Sequence, residues 1–171
     1  MESFSKLVAI FLAVILLFIT PLLYMAQKQD FISLLYISKE TTKLVDNIKN
    51  SGYISKRMYE SYIKAIDKTG NLYRIEITHS HKRVEPLVDV NTNDILQDFH
   101  VYFYNTYEEE ILEAFDNNED YNFNRGDYIS IRVSNRNKTT AVSIMESILS
   151  RDIEDTQIVV TYGGMIRDEI N

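Results

Sequence analysis

His79-Ser80-His81 is the pair of side chains in this sequence with the clearest chemical use. Residues i and i+2 of a strand face the same way, so the two imidazoles stand side by side as paired metal ligands do. A zinc site needs three or four ligands. No third one stands at a fixed spacing: Glu85 is near, and Glu76 falls on the opposite face of the same strand. The reading is a strand end with solvated histidines and no metal. His100, set among aromatic residues, reads as packed rather than catalytic.

Two segments open like calcium loops. Asp116-Asn117-Asn118-Glu119-Asp120-Tyr121 has Tyr where the loop needs Gly, and Asp127 where it needs a bidentate Glu. Asp89 to Asp94 fails similarly, with His100 in the last ligand position. Both read as ordinary Asn/Asp turns. The acidic run Glu108, Glu109, Glu110 and Glu113 suits a helix N-terminus, with a basic partner surface as the functional alternative. The loop of Arg136 and Lys138, with Arg132, could meet such an acidic face on a neighbouring subunit. Asn137-Lys138-Thr139 matches a glycosylation acceptor, a short pattern common by chance.

No nucleophile elbow, phosphate loop or dinucleotide fingerprint occurs, and 5 glycines leave little for a phosphate cradle. The absence of cysteine removes thiolate nucleophiles, zinc–thiolate sites and disulfides together. The expectation is therefore not an enzyme: no catalytic residues, no cofactor and no metal. A net charge of −7 repels phosphate backbones, so no nucleic acid is expected among the partners. Of 12 tyrosines, most should line the core or its edges. Tyr121, Phe123 and Tyr128, around the turn Asn124-Arg125-Gly126-Asp127, make the best surface patch for protein contacts.

The elements that must position these groups begin with an uncharged apolar run, Leu7 to Met25. At about 1.5 Å per residue it reaches roughly 28 Å, the hydrocarbon thickness of a bilayer. It is longer than a signal h-region and lacks a small-x-small exit, so it reads as an anchor in the lipid bilayer. Pro21 within it is tolerable, because membrane helices accept a kink. Apolar residues Phe31, Leu34, Leu35, Leu44, Val45 and Ile48 continue a helical stripe up to Gly52. The expected organisation is a short tail (1–6), a transmembrane helix (7–25), a helical stem (26–50) and an α+β domain (51–171).

Within that domain Ser55 caps a helix that Gly70 ends, and Tyr73 to His79 alternates as a strand. Val84 to Val90 is ambiguous, since Pro86 opposes a central strand. Phe99 to Tyr104 alternates. Thr106 with Glu109 forms a capping box for a short helix ending at Asn117. Tyr128 to Ser134 is a strand, Thr139 or Thr140 caps another helix, and a last strand from Gln157 to Tyr162 is closed by Gly163-Gly164. The fold class is α+β: a transmembrane helix continuing into an amphipathic stem, then a small antiparallel sheet with about three helices.

This layout is similar to that of pilins and pseudopilins. Asn122-Phe123-Asn124-Arg125-Gly126-Asp127-Tyr128, Val133-Ser134-Asn135, the Thr139-capped helix and Val160 through Tyr162-Gly163-Gly164-Met165-Ile166 resemble small pseudopilin-like (TadE-like) membrane proteins of Gram-positive bacteria, associated with tight-adherence (Tad) loci. The resemblance implies a structural or accessory subunit of a pilus or secretion assembly. It implies that Glu2 neutralises a neighbour's amino terminus and that Pro21 melts a turn. Glu2 lies before the apolar run, which suits an accessory subunit better than a major pilin.

Expected assembly contacts are therefore Glu2, Pro21, Phe31, Leu35, Tyr121, Phe123 and Tyr128. The expected partners are the bilayer and other pilus or secretion-apparatus subunits, with a homo-oligomer allowed. The expected location is the cell membrane, single-pass, with the domain extracytoplasmic. The competing function is a single-pass extracytoplasmic binding or sensor module.

Overall fold

A computed structural model describes residues 2–88, 95–153 and 158–167. The chain is α+β. Helix α1 (Glu2–Ser51) is followed by β1 (Tyr53–Ile54), α2 (Lys56–Ile66) with a 3-10 turn (Asp67–Thr69), β2 (Tyr73–Val88) and β3 (Ile95–Tyr107). Then come α3 (Glu108–Asp116), β4 (Tyr121–Asn122), β5 (Tyr128–Asn135), α4 (Thr140–Leu149) and β6 (Val159–Met165).

No glycine interrupts α1, and it passes Pro21 without a break, so no turn is melted there. Gly52, in the left-handed region at φ 74°, ends it by donating its N–H to the Ile48 carbonyl. Residues 3–25 are exposed apart from a partly covered line through Ile15, Ile19 and Leu23. Farther on, Ser33, Ile37, Thr41, Leu44, Val45 and Ile48 are buried at helical spacing. Along its length α1 packs on β5, β6, α2 and α4. Among the described residues α1 alone is long and apolar enough to cross a membrane.

β3, β2, β5 and β6 form an antiparallel sheet in that order, and β1 pairs with β4 in a separate short ladder. The core face of the sheet is set by alternation: Ile77 pairs with Ile131, and Ile75 with Val133. β2 runs through Pro86 because β5 pairs with it only as far as Ser80. Beyond that point β2 has, among the described residues, β3 on one side only, and a residue without an N–H is tolerable there. The Asp89–Asp94 segment lies outside the described residues.

Two expectations at element ends are corrected. Thr106 caps no helix: pairing of β2 with β3 continues to Thr78 and Tyr107, so Thr106 is a buried strand residue and Tyr107 precedes α3. Gly163 and Gly164 do not close β6; they lie inside it, opposite Ser130 and Ile129. A Cβ on Gly163 would stand 2.5 Å from the Ile129 carbonyl oxygen, and one on Gly164 would meet Lys49 of α1 at 2.8 Å. Glycine here serves close packing of strand and helix, not a turn. Ser55 and Thr139 do cap α2 and α4, accepting from the amides of Met58 and Val142.

Candidate functional site

At the end of the domain where α1 terminates, the apolar face of the sheet turns polar. Ile77 is followed on that face by His79 and His81, which the alternation of β2 aims inward. His79 faces Ile129 on β5 and Thr106 on β3; His81 faces Tyr104 on β3. The histidines are not solvated: His79 is 0% exposed, and His81 is half-buried. Burial follows from what covers them. Gly52 turns the chain into β1, which pairs with β4, and the Phe123 amide donates to the Gly52 carbonyl. This lays Tyr121 and Phe123 over the His79 ring, Phe123 at 4.5 Å between centroids and Tyr121 edge-on at 5.7 Å.

The third group is Asp127, also buried. Gly126, at φ 93°, turns the chain before β5, and the main chain here is tied to Ile166 by two amide–carbonyl bonds. The carboxylate accepts the amide hydrogens of Lys82 (2.9 Å, Oδ1) and Asn124 (3.0 Å, Oδ2). Its Oδ2 also stands 2.8 Å from His79 Nε2 and 3.7 Å from His81 Nδ1. The outer nitrogens are engaged as well: His79 Nδ1 lies 2.9 Å from the Tyr121 hydroxyl, and His81 Nε2 lies 2.9 Å from Thr106 Oγ1.

Electrostatics fix the proton arrangement. Burial alone pushes Asp127 up, but the amides of Lys82 and Asn124 and the His79 ring outweigh it and hold the carboxyl below its usual value. Burial pushes His79 down, against the pull of Asp127. An ionised Asp127 beside a neutral His79 requires Nε2–H to donate to Oδ2, leaving Nδ1 to accept the Tyr121 hydroxyl hydrogen. That phenol is held up to about 12, chiefly by burial, so it stays protonated and is no nucleophile. One ligand atom from each of His79, His81 and Asp127 lies within 4.8 Å of the other two.

The residues expected to make assembly contacts are not brought together. Glu2 and Pro21 lie in the first half of α1. Phe31 and Leu35 face away from the domain, 58% and 54% exposed. The aromatic patch dissolves: Phe123, 5% exposed, is buried in the core cluster, and Tyr121 is half-buried against His79, while Tyr128 remains exposed. The β1–β4 ladder is the reason, because it turns these two rings inward. Asp127 is the residue that sequence reasoning missed as a partner of the histidines. Its only signal was a Gly-Asp turn 46 to 48 positions downstream, a separation that strand pairing alone closes.

No protein family, curated protein or solved structure matches this chain.

Proposed function

We propose that this chain is a membrane-anchored structural or accessory subunit of a pilus or secretion assembly of tight-adherence type, acting through protein–protein contacts. One observation carries the reading: α1 keeps apolar residues exposed beyond the stretch a bilayer would cover. Phe31, Ile32 and Leu35 stay bare on the far side of the helix from the domain. At about 1.5 Å per residue they stand roughly 9–15 Å past Met25. Apolar side chains there have neither lipid nor their own domain to cover them, and neighbouring helices supply what is missing. Residues 26–50 are then a stem that carries the contact surface off the membrane.

The edge strand β3 supports the same reading. Its outer edge has no strand beside it among the described residues, and Phe99, Val101, Phe103 and Tyr107 are exposed along it. From Phe99 to Tyr107 this edge carries no Asp, Glu, Lys or Arg, and a long edge without a blunting charge favours pairing with another chain. Photo-crosslinkers at Phe31, Leu35 and Phe103 in intact cells test the proposal. Adducts with other assembly subunits, or with a second copy, are expected. Recovery of monomer alone from all three positions would overturn it. Protease cleavage of a C-terminal tag in spheroplasts is expected, since the reading places the domain outside.

A further inference from the structure

The geometry points to a zinc-binding site formed by His79, His81 and Asp127, with Tyr121 and Thr106 as its outer hydrogen-bonding shell. This proposal stands apart from the assembly reading, for it uses only the inside of the domain. Each imidazole turns one nitrogen toward the same carboxylate oxygen, Asp127 Oδ2, and gives its other nitrogen to a hydroxyl. Metal-bound histidines have this pattern: the outer ring nitrogen is engaged by a second group, which sets ring orientation. The carboxylate is fixed likewise, by the amides of Lys82 and Asn124.

The distances from the carboxylate oxygen fit a small divalent cation, and the two ring nitrogens lie within 4.8 Å of each other. Zinc with bonds of about 2.0–2.1 Å in a tetrahedron holds its ligand atoms roughly 3.3 Å apart. Here the separations from Oδ2 are 2.8 Å to His79 and 3.7 Å to His81, which bracket that value. His81 Nδ1 at 3.7 Å is too far to donate to the carboxylate, and no other hydrogen bond to it is formed among the described residues. A cation between the three would take up that nitrogen. Two nitrogen donors with one carboxylate select zinc over magnesium or calcium, which prefer oxygen throughout. His81 is only half-buried, so water can reach the fourth position. Binding takes His79 in its other tautomer: Nε2 gives up its proton in favour of the cation, and Nδ1 carries one and donates it to the Tyr121 oxygen. With no net proton released, Asp127 stays ionised.

The cation would join β2 to the turn before β5, next to the point where α1, β1 and β4 meet. It would close the end of the domain farthest from the apolar half of α1. The test uses the full chain in detergent, freed of metal with a chelator and titrated with zinc against a chromophoric competitor. Uptake of one zinc per chain is expected, with the intense visible absorption of a tetrahedral centre when cobalt replaces zinc. Tyr121→Phe and Thr106→Val, which remove only outer hydrogen bonds, should each weaken binding about 10- to 100-fold. His81→Ala should weaken it further, and His100→Gln should leave it unchanged. No uptake by the folded wild-type chain would overturn the proposal. So would uptake that His81→Ala, Tyr121→Phe and Thr106→Val all leave unaltered.

Discussion

Asp127→Asn keeps the shape of the side chain and removes its charge. Three donors converge on that carboxylate, two of them main-chain amides. The variant should lose about 2 kcal/mol or more of stability, the scale of hydrogen bonds to a buried charge. Urea unfolding of the full chain in detergent, with chelator present, measures it. Glu108 behaves oppositely. Burial raises its carboxyl above the ordinary 4.5, while the Tyr59 hydroxyl, 2.9 Å away, pulls it back. A folded-state value above the unfolded one means that the folded chain binds the proton more tightly. Wild type should therefore gain stability relative to Glu108→Gln as pH falls through the raised value, the gain being complete below 4.5. Unfolding of both chains at neutral pH and below 4.5 reads the difference directly.

At the scale of elements, the two adjacent glycines of β6 give unequal outcomes. Gly163→Ala drives a methyl against the Ile129 carbonyl, which belongs to the paired strand and cannot yield without opening the ladder. It should cost about 1–3 kcal/mol, as overpacking does. Gly164→Ala meets only the end of the Lys49 side chain, which can swing aside, and should cost visibly less. Thermal unfolding of the pair decides. Helix α4 makes a second element-scale case. Ile144 and Ile148 line a hollow with Ile19 of α1, and Ile148 and Leu149 are exposed. This sets α4 beside the apolar run, where its end should touch the bilayer surface. The chain has no tryptophan, so Leu149→Trp is a clean reporter. In vesicles its fluorescence should be quenched by brominated lipid, whereas a Tyr53→Trp reporter at the far end of α1 should not be.

At the scale of the whole molecule, α1 separates two ends. From Met25 to Ser51 a helix rises about 39 Å, so the histidine cluster stands well clear of the apolar half. Arginines at Leu12 and Leu16 should release the chain from the membrane, since each charge costs about 2.5–3.5 kcal/mol at the centre of a span. Carbonate extraction of membranes measures the shift, and an intact mass that includes residues 7–25 tests anchor against cleaved signal. The apolar run, the helical stripe behind it, the alternation of β5 and the caps at Ser55 and Thr139 were all legible in the sequence. Each is a local pattern whose period or residue type acts within a few positions. The long hairpin through Pro86 was not legible, because a proline's fitness depends on which neighbour a strand has. Nor was the strand role of Thr106, whose strand partner, His79, is 27 residues away. The same limit governed the site. Spacing by itself determined that His79 and His81 share a face. Only the tertiary structure decided that the face is buried, that Tyr121 and Phe123 cover it, and that Asp127 completes it. Those contacts come from strand pairing and from the β1–β4 ladder, and no spacing along the chain encodes them.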